Sequence, residues 1–223
     1  MPYTLDSGII LPSVTEILNA TATPRQRQLL ADWEKENPGA GNEARARGNY
    51  VHAIAASYLL QEFPRKFPTI DTFPDSIQSY VKSLVPFLIE CGPVRWVETE
   101  VGGGNHQFVW SELGYAGRPD WLVNIRQELV LVDLKTATKP YHPKYRGDGP
   151  AYAKFCKATT QLAAYTIAIE ECLGVVPDRK LVLVALPDRY QTLEMSTEES
   201  TRAHRRWLKR LEKYQQYRGR AAP

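Results

Sequence analysis

The sequence predicts a single α/β domain, and three observations carry that prediction. Short apolar, β-branched runs at Trp121-Leu122-Val123, Leu129-Val130-Leu131-Val132 and Leu181-Val182-Leu183-Val184-Ala185-Leu186 read as strands. Stretches with apolar residues at helical spacing precede and separate them. The 223 residues hold no internal repeat, and that length suits one core plus a helical elaboration. The elaboration is expected over residues 1–95 and the core over 96–223.

In chain order, Ser13-Val14-Thr15-Glu16 has the Ser-x-x-Glu form of a capping box and starts a short helix to about Ala20. Thr23-Pro24-Arg25-Gln26 repeats the device with proline at the first helical position. That second helix stops near Asn37-Pro38-Gly39, and Leu29, Leu30 and Trp33 give it one apolar face, as scaffold. From Glu43 to Glu62, Val51, Ile54, Ala55, Tyr58 and Leu59 form a stripe, with Arg45, Arg47 and His52 at or beyond its edge. Asp75 to Glu90 is the next helix; Pro86 is expected to kink or shorten it and Gly92 to close it. Trp96 to Val101 alternates as a strand with Glu98 and Glu100 on one face. Two prolines exclude regular structure from Lys139 to Gly147. A helix from about Tyr152 to Leu173 follows, capped by Gly174, and then the Leu181 strand, which returns through Pro187-Asp188 to Gln191 to Met195. Ser196-Thr197-Glu198-Glu199, a third capping box, opens a last helix with Trp207, Leu208, Leu211 and Tyr214 apolar.

Chemistry concentrates between Gly117 and Lys135. The runs on either side of Asn124 to Glu128 read as antiparallel neighbours joined by a tight turn. The midpoint of Asp120 and Asp133 falls between Arg126 and Gln127, so a turn centred there sets the two carboxylates nearly opposite each other, with Cβ atoms about 4.5–5.5 Å apart. Lys135, two residues past Asp133, points to the same face. Like charges so placed need something positive between them, and a divalent cation is the natural candidate. Asp120 and Asp133, with the backbone carbonyl of Leu134, offer hard oxygen ligands suited to Mg²⁺ or Mn²⁺. Lys135 either orients an attacking water or offsets charge developing on phosphorus. The alternative is a surface hairpin with a plain Asp/Lys salt bridge. Against it, the Leu129 to Val132 run is apolar on both faces, as in a buried central strand.

The composition, 43% hydrophobic and 24% charged, argues against disorder. No apolar run approaches the ~18 residues of a membrane span. The N-terminus lacks the marks of a signal or transit peptide, so a cytoplasmic protein is expected. Cys91, Cys156 and Cys172 are scattered, which suggests a reducing compartment and neither a disulfide framework nor a Cys-x-x-Cys zinc site. The net charge of +3 is unevenly spread: residues 139–158 carry five Lys/Arg against Asp148 alone, and residues 201–223 carry eight against Glu212 alone. Such basic concentrations suit a polyanion. Lys139, Tyr141 and Lys144 interleave cations and rings in a way that suits single-stranded nucleic acid, or else form a solvated loop. Arg202, Arg206, Lys209 and Lys213 share one face of the last helix, usually a solvated arrangement and alternatively a DNA contact.

Pro119-Asp120 followed by Asp133-Leu134-Lys135 resembles the PD-(D/E)xK nuclease superfamily. Further elements run in an order similar to its RecB-like exonuclease branch, which includes mitochondrial genome maintenance exonucleases and their bacterial and phage relatives. These are Pro-Ser-Val-Thr near the N-terminus, Gly48-x-x-x-His52, Gly-Arg-Pro-Asp, Asp-Leu-Lys-Thr, and Gln161-x-x-x-Tyr165. The resemblance spans roughly the whole chain. It implies a restriction-endonuclease-like core with a mixed central sheet flanked by helices, over one nuclease domain. It implies that His52 joins Asp120 and Asp133 at the metal, that Glu100 or Glu98 adds a third acid unless both are ordinary edge-strand charges, and that Arg47, Gln161 and Tyr165 position the phosphate backbone. It also implies hydrolysis of DNA from single-stranded ends, in replication, repair or recombination. Some members hold an iron-sulfur cluster on four cysteines; three cannot, so none is expected. A structure-specific or restriction-type endonuclease and a non-catalytic DNA-binding module on the same fold stay open. The oligomeric state is open, with a monomer favoured.

Overall fold

The computed structural model describes residues 2–60, 71, 73–91, 94–97, 108–144 and 149–221. In chain order the elements are strands β1 (Tyr3–Thr4) and β2 (Ile10–Leu11), then helices α1 (Val14–Ala20), α2 (Pro24–Glu36), α3 (Ala40–Leu59) and α4 (Asp75–Glu90). Strands β3 (Val94–Val97), β4 (Val109–Ser111), β5 (Tyr115–Gly117), β6 (Trp121–Ile125) and β7 (Glu128–Thr136) follow. Helix α5 (Gly149–Leu173), strands β8 (Arg179–Ala185) and β9 (Tyr190–Glu194), and helix α6 (Thr197–Ala221) complete the chain.

The central sheet has the order β3-β6-β7-β8-β9. Strand β7 lies in its middle, antiparallel to β6 and parallel to β8, with α5 as the crossover a parallel pair needs. The sheet is therefore mixed, as the resemblance implies. A central strand is covered on both faces, which explains why β7 reads as a continuous apolar run. Leu131 belongs to a core built with α1, α5 and α6, while Val130, Val132 and Leu134 belong to a second core built with α3 and α4. Each such fully buried aliphatic side chain contributes about 1.5–3 kcal/mol.

The three capping sites form as the sequence predicts. Ser13 Oγ accepts from Glu16 N–H at 3.0 Å, Thr23 and Gln26 exchange both bonds of a capping box, and Ser196 Oγ accepts from Glu199 N–H at 3.1 Å. Glu16 and Glu199 do not close their boxes: the Glu16 carboxylate accepts from the Tyr214 hydroxyl on α6, and that of Glu199 from Thr159, Arg202 and Arg206. Gly174, at φ +64°, ends α5 as expected.

Two expectations need correction, and one feature is new. Helix α4 runs through Pro86 to Glu90; burial of Leu84, Phe87 and Leu88 on either side holds it despite the lost backbone donor. Gly92, its expected stop, lies outside the described residues. The apolar face of α2 exists but covers nothing: Leu29, Leu30 and Trp33 are 59%, 56% and 42% exposed, and no residue of that helix is buried. The short antiparallel pairs β1-β2 and β4-β5 were not foreseen, being too short to show a period.

Candidate active site

The β6-β7 hairpin places the acids. Ile125 pairs with Glu128, leaving Arg126 and Gln127 as a two-residue turn with φ of 52° and 70°. Positive φ at both positions gives the turn whose twist matches the strands, although neither residue is the Asn or Gly that favours it. Trp121 pairs with Val132, and one further step of that register sets Asp120 beside Asp133. Both are buried, at 7% and 2% exposure.

Beyond the end of β6 the Asp120 side chain replaces the missing strand: its Oδ2 accepts from Leu134 N–H at 2.6 Å. In a strand, one residue's N–H and C=O point to the same side, so the Leu134 carbonyl faces that same open edge. Asp120 Oδ1 lies 3.3 Å from His52 Nδ1 on α3. Lys135 Nζ lies 2.7 Å from Asp133 Oδ2. These groups line a cleft of about 330 Å³, together with Gln161 and Tyr165 from α5, Ser13 and Thr15 from α1, and Arg45 and Asn49 from α3. Gly117 makes the wall possible. A Cβ there would stand 2.6 Å from Tyr165 Cε1, closer than any side chain tolerates, so Tyr165 packs directly against bare backbone.

Residues 25–222 match the family model of the PD-(D/E)XK nuclease superfamily. This chain belongs to that superfamily. The nuclease is also similar to a solved Eubacterium rectale structure provisionally named an exonuclease, at 11% identity and a TM-score of 0.44, over 75% of this chain and 67% of the other. No curated protein matches the sequence. No helix among the described residues of the nuclease is long and apolar enough to cross a membrane.

Burial and mutual charge set the protonation of the cluster. Desolvation pushes the Asp133 carboxyl up to about 6, with Asp120 adding to the rise and Lys135 opposing it. Asp120 is equally desolvated, but His52, Lys135 and the Leu134 N–H outweigh that and hold it below the usual carboxylate range. Burial disfavours the charged forms of Lys135 and His52; the two acids reverse this and raise both. The acid pair is flanked by Lys135 and His52, both of which it favours in their charged forms.

Members of this superfamily generally use divalent metal ions. The donor chemistry here suits one. Two buried carboxylates share a face, and Asp133 Oδ2 accepts no directed hydrogen bond although Lys135 is beside it, which leaves a hard oxygen with valence to spare. His52 Nδ1 faces Asp120 Oδ1, and the two acids raise its pKa against burial. Among the described residues no three His, Cys, Asp or Glu side chains converge as a ligand set.

The remaining candidates divide. Gln161 and Tyr165 line the cleft, as the resemblance implies. Arg47 does not; its guanidinium lies 5.1 Å over the Tyr80 ring of α4. Helical arithmetic explains why, since Arg47 shares the face of Val51 and Ile54, whereas Arg45 shares that of Asn49 and His52. Tyr141 is 6% exposed and part of the core, its backbone N–H and C=O both bonded to the Gln191 amide, so its ring is not offered to a base. Lys139 and Lys144 are exposed and outside the cleft lining. Glu98 and Glu100 lie outside the described residues. On α6, Arg206 is bound to Glu199, Thr159 and Thr160 and serves packing. Arg45 lines the cleft without having been among the sequence candidates; its seven-residue spacing from His52 was the available signal.

Proposed function

We propose that this nuclease is a DNA exonuclease that hydrolyses phosphodiester bonds from the ends of single strands, with Mg²⁺ or Mn²⁺ as cofactor. The supporting observation is the buried Asp120 and Asp133 pair, with Lys135 beside it, at the floor of a cleft that Gln161 and Tyr165 wall. Asp120, Asp133 and the Leu134 carbonyl would hold the metal. When bound, the cation acts as a Lewis acid that yields hydroxide from water near neutral pH.

The chain's own residues do the rest. Leu134 N–H fixes one Asp120 oxygen, so the carboxylate cannot rotate away. Lys135, kept protonated by both acids, neutralises negative charge as the water oxygen adds to phosphorus and the bond to the leaving sugar oxygen breaks. That oxygen departs with a proton taken from solvent. His52 keeps Asp120 ionised, and Gln161 offers an amide to a phosphate oxygen.

The test is digestion of linear single strands labelled at the 5′ or the 3′ end beside a circular strand, with Mg²⁺, Mn²⁺ or EDTA and with Lys135→Ala as control. Loss of linear strands only, dependent on metal and on Lys135, is expected, and the label reports polarity. Cutting of the circle replaces this reading with an endonuclease. Binding without any cleavage replaces it with a DNA-binding module.

A further inference from the structure

We propose that the apolar face of α2 is where two copies of this chain meet, their α2 helices packed antiparallel about a two-fold axis near Leu30. The inference is independent of the nuclease reading.

Helix α2 lacks the support its neighbours have. Isolated helices of fewer than about 12–15 residues are marginal in water, and α2 has 13 residues, none of them buried. It is fastened near its two ends: Arg210 on α6 donates to Gln26 Oε1 at 3.3 Å, and the Trp33 ring lies against Gly41 on α3. Between those points Leu29 and Leu30 stand more than half exposed, and with Trp33 they make one contiguous stripe. Such a stripe is stabilised by whatever removes it from water.

The charges of α2 indicate what that is. Arg25 and Arg27 occupy its first turn, and Glu34 and Glu36 outnumber Lys35 in its last, the reverse of what the helix dipole favours. Asp32 and Glu36, four apart, add a like-charge pair. Among the described residues Arg25, Glu34 and Glu36 have no ion-pair partner, and Arg27 donates only to the Ala22 carbonyl, at 3.0 Å. An arrangement unfavourable within one helix becomes favourable against an antiparallel copy. Arg27 and Glu34, about two turns apart, share one edge of the stripe; Arg25 and Glu36, about three turns apart, share the other. Both pairs are centred on the Leu30-Ala31 bond. A two-fold axis there sets the same edges of the two helices side by side, so each arginine faces the corresponding glutamate of the second copy, around a core of Leu29, Leu30 and Trp33. A parallel copy would set arginine near arginine. One helix pair is small beside the roughly 1,200 Å² at which stable interfaces begin, so the dimer is weak and forms at high protein concentration.

The experiment is sedimentation velocity of the full chain without DNA, from low to high micromolar protein. Wild type should shift from monomer to dimer across that range, and Leu30→Asp should stay monomeric. Arg25→Glu with Arg27→Glu makes both ends of α2 acidic, and Glu34→Arg with Glu36→Arg makes both ends basic. Each double variant should weaken self-association more than about tenfold, because every substituted contact occurs twice and becomes repulsive. An equimolar mixture of the two should associate at least as tightly as wild type, since every contact between them is attractive. All four positions are exposed, and both double variants correct the helix's own dipole mismatch, so lost association cannot be put down to a lost helix. Wild type that stays monomeric throughout overturns the proposal. So does a mixture that fails to associate, or a double variant or Leu30→Asp that dimerises as wild type does. A monomeric wild type whose affinity for a single-stranded oligonucleotide falls in Leu30→Asp also overturns it and assigns the face to nucleic acid.

Discussion

Glu199 and Asp133 are both buried carboxylates with a cation at close range, yet their surroundings differ. Glu199, at 6% exposure, joins α6 to α5: Oε1 accepts from Arg206 at 2.5 Å and from the Thr159 hydroxyl at 3.2 Å, and Oε2 accepts from Arg202 at 3.1 Å. Asp133, at 2% exposure, has Lys135 beside it, no directed hydrogen bond at Oδ2, and a second acid as neighbour. A buried charge whose lone pairs are filled by the protein is part of the scaffold. One left short of donors and set against a like charge is costly to keep, and such sites accept something from solution.

Removal of each acid should break that comparison in opposite ways. Glu199→Ala leaves Arg206 half-buried without its partner and should lower stability by about 3 kcal/mol, read in urea unfolding, while DNA cleavage per folded molecule stays near wild type. Unchanged stability would make the Glu199 cluster decorative. Lys135→Ala should reduce kcat by about 10²–10³-fold, about 2.7–4 kcal/mol of transition-state stabilisation, with little change in unfolding midpoint because Asp133 answers by taking up a proton. Wild-type turnover in this variant removes Lys135 from the chemistry. Thr159→Val deletes one donor to Glu199 and should cost about 1 kcal/mol in the same unfolding assay.

A further effect sharpens the contrast through pH. Asp133 is raised from 3.8 to about 6 on folding, so the folded state binds its proton more tightly than the unfolded chain does. Its contribution is fully present below 3.8 and is lost as pH rises through about 6. Metal-free protein should therefore lose stability across that window, and Asp133→Asn should show a shallower decline. An identical pH profile in the variant would show that Asp133 is not held in a strained charged state.

Much of the site was legible because it depends on local arithmetic. The opposition of Asp120 and Asp133 needs only a two-residue turn at Arg126-Gln127, and the shared face of Asp133 and Lys135 needs only a strand period of two. The caps at Ser13, Thr23 and Ser196 are likewise three-residue devices. The exposed apolar face of α2 was not legible, because amphipathic spacing shows which residues can be buried and not whether another element arrives to bury them. Tyr141 was misread for the converse reason: a proline-rich basic loop reads as solvated, yet the Gln191 amide pins its backbone and the core receives its ring.

The sequence by itself determined the α/β class, the presence and approximate place of the long helices, the central place of β7 and the acid/lysine cluster, since each follows from periodicity or from contacts a few residues apart. Only the tertiary structure decided which arginine faces the cleft, that His52 pairs with Asp120 through Nδ1, and that Gly117 is the surface on which Tyr165 lies. Those choices depend on how α1, α3 and α5 approach the sheet, and an approach between elements tens of residues apart is settled by packing rather than by spacing.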